Sequence, residues 1–279
     1  MSQTRIAYLP LSSDPEATSD ESIRAATSFA ASLDCTLSVT TFAVDVPQLS
    51  SGLGSLVVDI RGLARAAEER SRVECHRLQG LVQEAAGSRL NVDCTSRTVA
   101  MGATMDAAAS EARYFDLVLV PWSEGSLSAQ ELAQAMVFGS GRPTILVPPS
   151  AGAARLDHIA VAWDASRVAA RALGDALPLV AEGGQVSVLT VQDEKSLGRS
   201  DLADALASSL EKRGFSATPR DVTLGQRTIA EALQNSALSE GAQLLAMGGF
   251  GHSRIRDFIL GGATKGVLTE LQLPTLLSH

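Results

Sequence analysis

Short apolar runs alternate with longer amphipathic stretches along this chain, and the alternation occurs twice. In the second half the runs "HIAVAW" (158–163), "QVSVLTV" (185–191) and "QLLAMG" (243–248) are too short for helices, and the first two are rich in β-branched residues, so all three read as buried strands. Between and after them lie the helix-length stretches "SRVAARALGDALPLVAEGG", "SDLADALASSLEKRG" and "RTIAEALQNSALSEG". The last carries Ile229, Leu233 and Leu238 near helical spacing and ends at Gly241, a C-terminal stop. Pro178 is expected to kink the first. Apolar runs that are continuous rather than alternating, with helices between them, call for a parallel sheet covered on both faces.

The first half has the same order but a longer segment, 58–87, in which Leu78, Leu81, Val82 and Ala85 fall at i, i+3, i+4 and i+7. This predicts an amphipathic helix of several turns with the charged "EERSR" (68–72) on its outer side. The two halves also end alike. "DLVLVPWSEGS" followed by "RPTILVPP" (116–126, 142–149) corresponds to "QLLAMGGFGHS" followed by "LPTLLSH" (243–253, 273–279), and the strand-like starts "RIAYLP" (5–10) and "HIAVAW" match. The chain therefore reads as an α/β protein of two tandem doubly wound domains. The seam lies in "VPPSAGAARLD" (147–157), where Pro148, Pro149 and Gly152 interrupt all periodicity, and gives domains 1–151 and 152–279.

Composition narrows the partners. The chain has 279 residues, 45% hydrophobic and 19% charged, with a formal charge of −8 and no basic run longer than two residues. Nucleic acid and anionic membrane are not expected to bind it, although a local basic pocket could hold a phosphate. No apolar run approaches the roughly 20 residues that span a bilayer, and "MSQTRIAYLP" has no apolar signal core, so a cytoplasmic location is expected. Cys35, Cys75 and Cys94 show no C-x-x-C spacing and read as reduced and mostly buried.

The chemistry concentrates in "MGGFGHSRIRDFILGGATKGVL" (247–268), which holds six glycines in 22 residues. Gly248, Gly249 and Gly251 follow a strand and allow backbone N–H groups to face an anion. Gly261 and Gly262 precede the helical stretch "ATKGVLTEL", whose N-terminus would favour phosphate. Neither G-x-x-x-x-G-K-[ST] nor G-x-G-x-x-G fits; the spacing that does is Gly248-x-x-Gly251-x9-Gly261.

With that spacing, with Asp164 closing "VAWD" in the same repeat and with the "PTLLSH" ending, the sequence resembles the universal stress protein family as two tandem copies. The resemblance implies a five-stranded parallel sheet of order 3-2-1-4-5 in each domain and, in one subclass, ATP at the strand tips. Carried over by position, Asp164 would contact the adenine or ribose, Val191 the adenine, and Gly248, Gly251 and Gly261 the phosphates. The resemblance also implies association through the last strands, "PTILVPP" and "PTLLSH", which would pair edge to edge either between the halves or between two chains in a dimer. One position departs. Gly262 stands where the family has Ser or Thr, and losing that charge-assisted hydrogen bond is worth roughly 1.5–3 kcal/mol, about tenfold to a hundredfold in affinity. The Gly262 N–H could still serve, and Thr264 could supply a hydroxyl from further along.

The first half departs further. Pro121 and Trp122 stand where small residues are expected, Glu124 opposes phosphate, and "LSSDPEATSDES" has no counterpart of Asp164. At most one nucleotide site is therefore expected, in the second half. Asp164 and Ser166 are also good N-cap residues, so the same residues have a purely structural reading. No G-x-S-x-G, H-E-x-x-H or metal-ligand spacing is present, and catalysis is expected to extend no further than slow ATP hydrolysis. The expected function is thus ATP binding, with or without Mg2+, in a stress-response regulator. The alternatives are a scaffold that binds no nucleotide and a small-metabolite sensor of the same fold.

Overall fold

Continuous apolar runs become strands buried on both faces. The computed structural model describes residues 4–47, 60–152, 154–192, 201–249 and 271–279. The first half contains β1 (Arg5–Ser12), α1 (Asp20–Ser32), β2 (Cys35–Asp45), α2 (Ile60–Ala86), β3 (Val92–Ala100), α3 (Thr104–Ala112), β4 (Leu117–Pro121), α4 (Leu127–Gly139) and β5 (Thr144–Val147). The second contains β6 (His158–Ala162), α5 (Arg167–Ala176), β7 (Gln185–Gln192), α6 (Leu202–Glu211), β8 (Ser216–Thr223), α7 (Ile229–Ser239), β9 (Leu244–Gly248) and β10 (Thr275–Ser278). Every residue of β4, β5, β9 and β10 is buried, as strands sandwiched between two helical layers require.

The strands form one sheet in the order β3-β2-β1-β4-β5-β10-β9-β6-β7-β8. Counted within each half and read from its outer edge inward, both runs are third, second, first, fourth, fifth. All neighbours are parallel except β5 and β10, which pair antiparallel through Thr275↔Leu146, Leu276↔Ile145 and Leu277↔Thr144. An edge made of "TILV" or "TLLS" would leave apolar side chains and unpaired backbone groups in water, and joining the two removes both edges. Of the two pairings anticipated for these strands, the structure shows the one between halves.

Two apolar layers fill the space between sheet and helices. One packs α1, α2, α5 and α6 against the sheet through residues such as Phe29, Leu78, Leu173 and Leu210. The other packs α3, α4 and α7 through Ala108, Met136 and Leu233. Each layer runs across both halves.

Three local expectations change. Pro178 does not kink a continuing helix: α5 ends at Ala176 and passes into a single 3-10 turn, Leu177–Leu179, because proline supplies no N–H to the turn before it. On α2 the core stripe runs through Leu78, Leu81, Val82 and Ala86, with Ala85 half-buried. Ser71, inside "EERSR", points inward; its hydroxyl accepts from the Val44 N–H at 2.9 Å and lies 2.7 Å from Ser13 Oγ. Of the cysteines, Cys75 is buried, whereas Cys35 and Cys94 are half-buried. Burial pushes the Cys35 thiol up to about 11.

His158, at the start of β6, has Nε2 2.9 Å from Ser187 Oγ, and burial holds its pKa below the usual 6.5. The unfolded chain therefore takes up this proton first. Its contribution to stability is complete above about pH 6.5 and is lost as pH falls toward the lower folded value. His158→Gln should flatten the change in urea midpoint between neutral and mildly acid pH; an unchanged slope would remove His158 from the pH response.

Candidate functional site

In an open parallel sheet, the loops at the carboxyl ends part where strand order reverses, which here is between β6 and β9 in the second half and between β1 and β4 in the first. Asp164 stands two residues past β6, Val191 lies in the last turn of side chains on β7, and Gly248 ends β9. Since β6 lies between β7 and β9, the sheet brings these three to adjacent strand tips.

Asp164 is exposed, and its Oδ1 accepts from the Ser166 N–H at 2.9 Å across Ala165, which has φ +60°. Ser166 then caps α5, its Oγ accepting from the Ala169 N–H at 3.2 Å. One Asp164 oxygen therefore shapes the turn that starts the helix, and among the described residues no other hydrogen bond engages its carboxylate. Val191 is half-buried and packs on the α7 side of the sheet. Beside it, Thr190 Oγ1 is buried with no hydrogen-bond partner among the described residues.

Gly248 answers to a different demand. A β-carbon there would lie 2.6 Å from the Val168 carbonyl carbon and 2.7 Å from the Ala169 nitrogen, both in the first turn of α5. The glycine lets the end of β9 touch the helix backbone, on the face opposite Val191. Gly249 differs, since its β-carbon would meet nothing closer than 3.4 Å. Gly251, Gly261, Gly262 and Thr264 lie outside the described residues, as do His252, Arg254 and Lys265.

At the equivalent place in the first half there is a cavity of about 170 Å³. Ser12, Glu16, Ser19, Pro121, Ser123 and Ser126 are among the residues that line it. Ser19 caps α1 and Ser126 caps α4, so two helix N-termini converge on one cleft, whose lining also includes Ala17, Met105, Ala129 and Leu132. Trp122 does not block it, because the indole is 1% exposed and turned into the core with α3 and α4. Pockets for drug-sized ligands run to roughly 300–1,000 Å³, so this cleft is small for a nucleotide. In the sequence, "LSSDPEATSDES" shows only that a counterpart of Asp164 is missing. The available signal was the pair of N-cap serines, each standing just before a helix.

Among the described residues no cluster of His, Cys, Asp or Glu could hold a metal ion, and no helix is long and apolar enough to cross a membrane.

Residues 155–279 match the model of the universal stress protein family. The chain carries a universal stress protein domain. A universal stress protein from Archaeoglobus fulgidus DSM 4304 superposes over 97% of this chain and 95% of its own, with a TM-score of 0.69 and 15% identity. A functionally unknown protein from Pseudomonas aeruginosa PAO1 covers 97% and 92%, with a TM-score of 0.50 and 13% identity. These likenesses extend the fold to the first half. A universal stress protein solved in complex with cAMP aligns with 44% of this chain and 97% of its own, at a TM-score of 0.32 and 19% identity. No curated protein sequence matches. The universal stress protein domain is thus the half that holds Asp164, Val191 and Gly248, and the small serine-lined cleft belongs to the other half.

Proposed function

We propose that the chain is a cytoplasmic stress-response regulator that binds an adenine nucleotide, ATP, at the strand tips of its second domain (152–279). The observation that supports this best is the meeting of Asp164, Val191 and Gly248 on adjacent strand ends beside the N-terminus of α5. In this reading the second oxygen of Asp164 bonds the ribose and Val191 forms an apolar wall for the base. Gly248 contributes by seating α5 against β9. Gly251, Gly261, Gly262 and Thr264 would hold the phosphates through backbone N–H groups and one hydroxyl, with or without Mg2+. Chemistry at the nucleotide is at most slow hydrolysis.

The test is calorimetric titration of ATP, with and without Mg2+, into the wild type and into Asp164→Asn, Asp164→Ala and Gly251→Val. Asp164→Asn keeps an oxygen for the Ser166 turn and removes the charge, which separates a ligand contact from a folding role. Micromolar binding that weakens in the variants, while their melting temperatures hold, is the expected result. No heat up to millimolar ATP would sink the proposal. It would leave standing a second reading, favoured by the 170 Å³ cleft, in which the first domain (1–151) senses a small metabolite.

A further inference from the structure

With β5 and β10 joined, the sheet ends at β3 and β8 among the described residues, and these two edges are built differently. The Ser216 N–H donates to the Gly184 carbonyl, so even-numbered residues of β8 face β7 and odd-numbered ones face outward. Pro219 falls in the outward set, at the middle of the strand. A proline there removes a donor from the open side and leaves the ladder to β7 intact, which is how edge strands are kept from pairing.

β3 has no such guard. The Leu37 N–H donates to the Asn91 carbonyl and the Met101 N–H to the Asp45 carbonyl, so odd-numbered positions face β2 and the backbone groups of Val92, Cys94, Ser96 and Thr98 face outward. None of those four has a backbone partner among the described residues. The strand is 9 residues long, without proline or glycine, and Thr95, Ser96, Arg97 and Thr98 are exposed.

We propose that two copies of this chain pair antiparallel along β3, continuing the sheet across a two-fold axis at Thr95. Outward groups must meet outward groups, which limits the registers to those pairing even with even. Centring on Thr95 sets Val92 opposite Thr98 and Cys94 opposite Ser96 as hydrogen-bonded pairs, giving about eight backbone bonds over the strand. The same register sets Asp93 opposite Arg97 twice and Thr95 opposite itself, in the non-hydrogen-bonded pairs where side chains approach most closely. Centring on Ser96 instead would place Asp93 against Val99 and Arg97 against Thr95, so charge complementarity selects Thr95. Arg97 is already held in place by Glu111 at 2.8 Å, with its guanidinium half exposed.

Sedimentation of the full chain tests this. The mean mass should rise from one chain toward two over about a hundredfold range of concentration, as an association of this kind requires. Ser96→Pro deletes an outward N–H, leaving the β2 ladder untouched, and should abolish the rise with little change in thermal melting. Asp93→Arg sets like charges opposite each other twice and should weaken the dimer about tenfold. Under oxidation, with Cys94 replaced by serine so that it cannot capture a cysteine at 96, Thr95→Cys should give a disulfide-linked dimer and Ser96→Cys should not. A constant monomer mass, a dimer that survives Ser96→Pro, or linkage through Ser96→Cys in place of Thr95→Cys would each overturn the proposal.

Discussion

Gly248→Val is expected to abolish cooperative folding of the second half, and Gly248→Ala to cost about 3 kcal/mol. The atoms a β-carbon would strike, 2.6 and 2.7 Å away, belong to the backbone of α5 and have no rotamer to escape into. Ala169 is also fixed from the other side by its bond to Ser166 Oγ. Relief requires α5 to lift from β9, uncovering Ala169, Ala172 and Leu173, which are 3%, 0% and 7% exposed. Overpacking into a well-filled core costs about 1–3 kcal/mol where side chains can adjust, and more where the obstacle is main chain. Against a total stability of about 5–15 kcal/mol, that is a large share. Urea unfolding followed by circular dichroism reads the effect. Gly249→Ala is the control and should be close to neutral, since its nearest contacts stand at 3.4 Å. Equal midpoints for Gly248→Ala and the wild type would show that the strand tip has room for a β-carbon.

The second large effect is expected at the junction of the halves. Leu276 is fully buried in β10, opposite Ala246 of β9 and Ile145 of β5. Leu276→Ala should cost about 2–5 kcal/mol through lost burial and the cavity left behind. Leu276→Asp should exceed this by several kcal/mol, because it would bury an ionised carboxylate among the apolar side chains of that layer. Each half holds one tryptophan, Trp122 or Trp163, so single-tryptophan variants let the halves be followed separately. With β10 weakened, the signal from Trp163 is expected to change at lower urea than that from Trp122. Coincident transitions at the wild-type midpoint would mean that β10 does not join the two halves energetically.

These expectations separate what was legible in the residues from what was not. The central strands could be read because they are covered on both faces: "RIAYLP", "HIAVAW" and "QLLAMG" have to be apolar throughout, and that pattern is strong even in a single sequence. The edges could not. β8 reads "SATPRDVT" and β3 "VDCTSRTVA", polar sequences that become strands because a neighbour supplies half of their hydrogen bonds. Ser71 went unread for a related reason. A serine among charges looks like surface until the Val44 N–H needs an acceptor beneath it.

At the candidate site the same division holds. That Asp164, Val191 and Gly248 belong to neighbouring strand ends followed from the repeat and the order of elements. That Asp164 shapes the turn into α5 is a contact two residues long, in keeping with its reading as a helix-start residue; that Gly248 is required by the approach of α5 depended on distances between segments 80 residues apart in the chain. The first-half cleft was hidden for the same reason, since Ser12, Ser19, Ser123 and Ser126 are scattered in sequence and converge only when α1 and α4 start at neighbouring strand tips.

By itself, the sequence determined the α/β class, the tandem repeat and the places of the buried strands, because local apolar patterning must match the layer that covers each element. The tertiary structure alone decided that β5 pairs with β10 inside one chain, that β8 is guarded while β3 is open, and that a glycine at 248 faces a helix. Those outcomes depend on backbone hydrogen bonds and sub-ångström clearances between distant segments, which no pattern of side chains along the chain encodes.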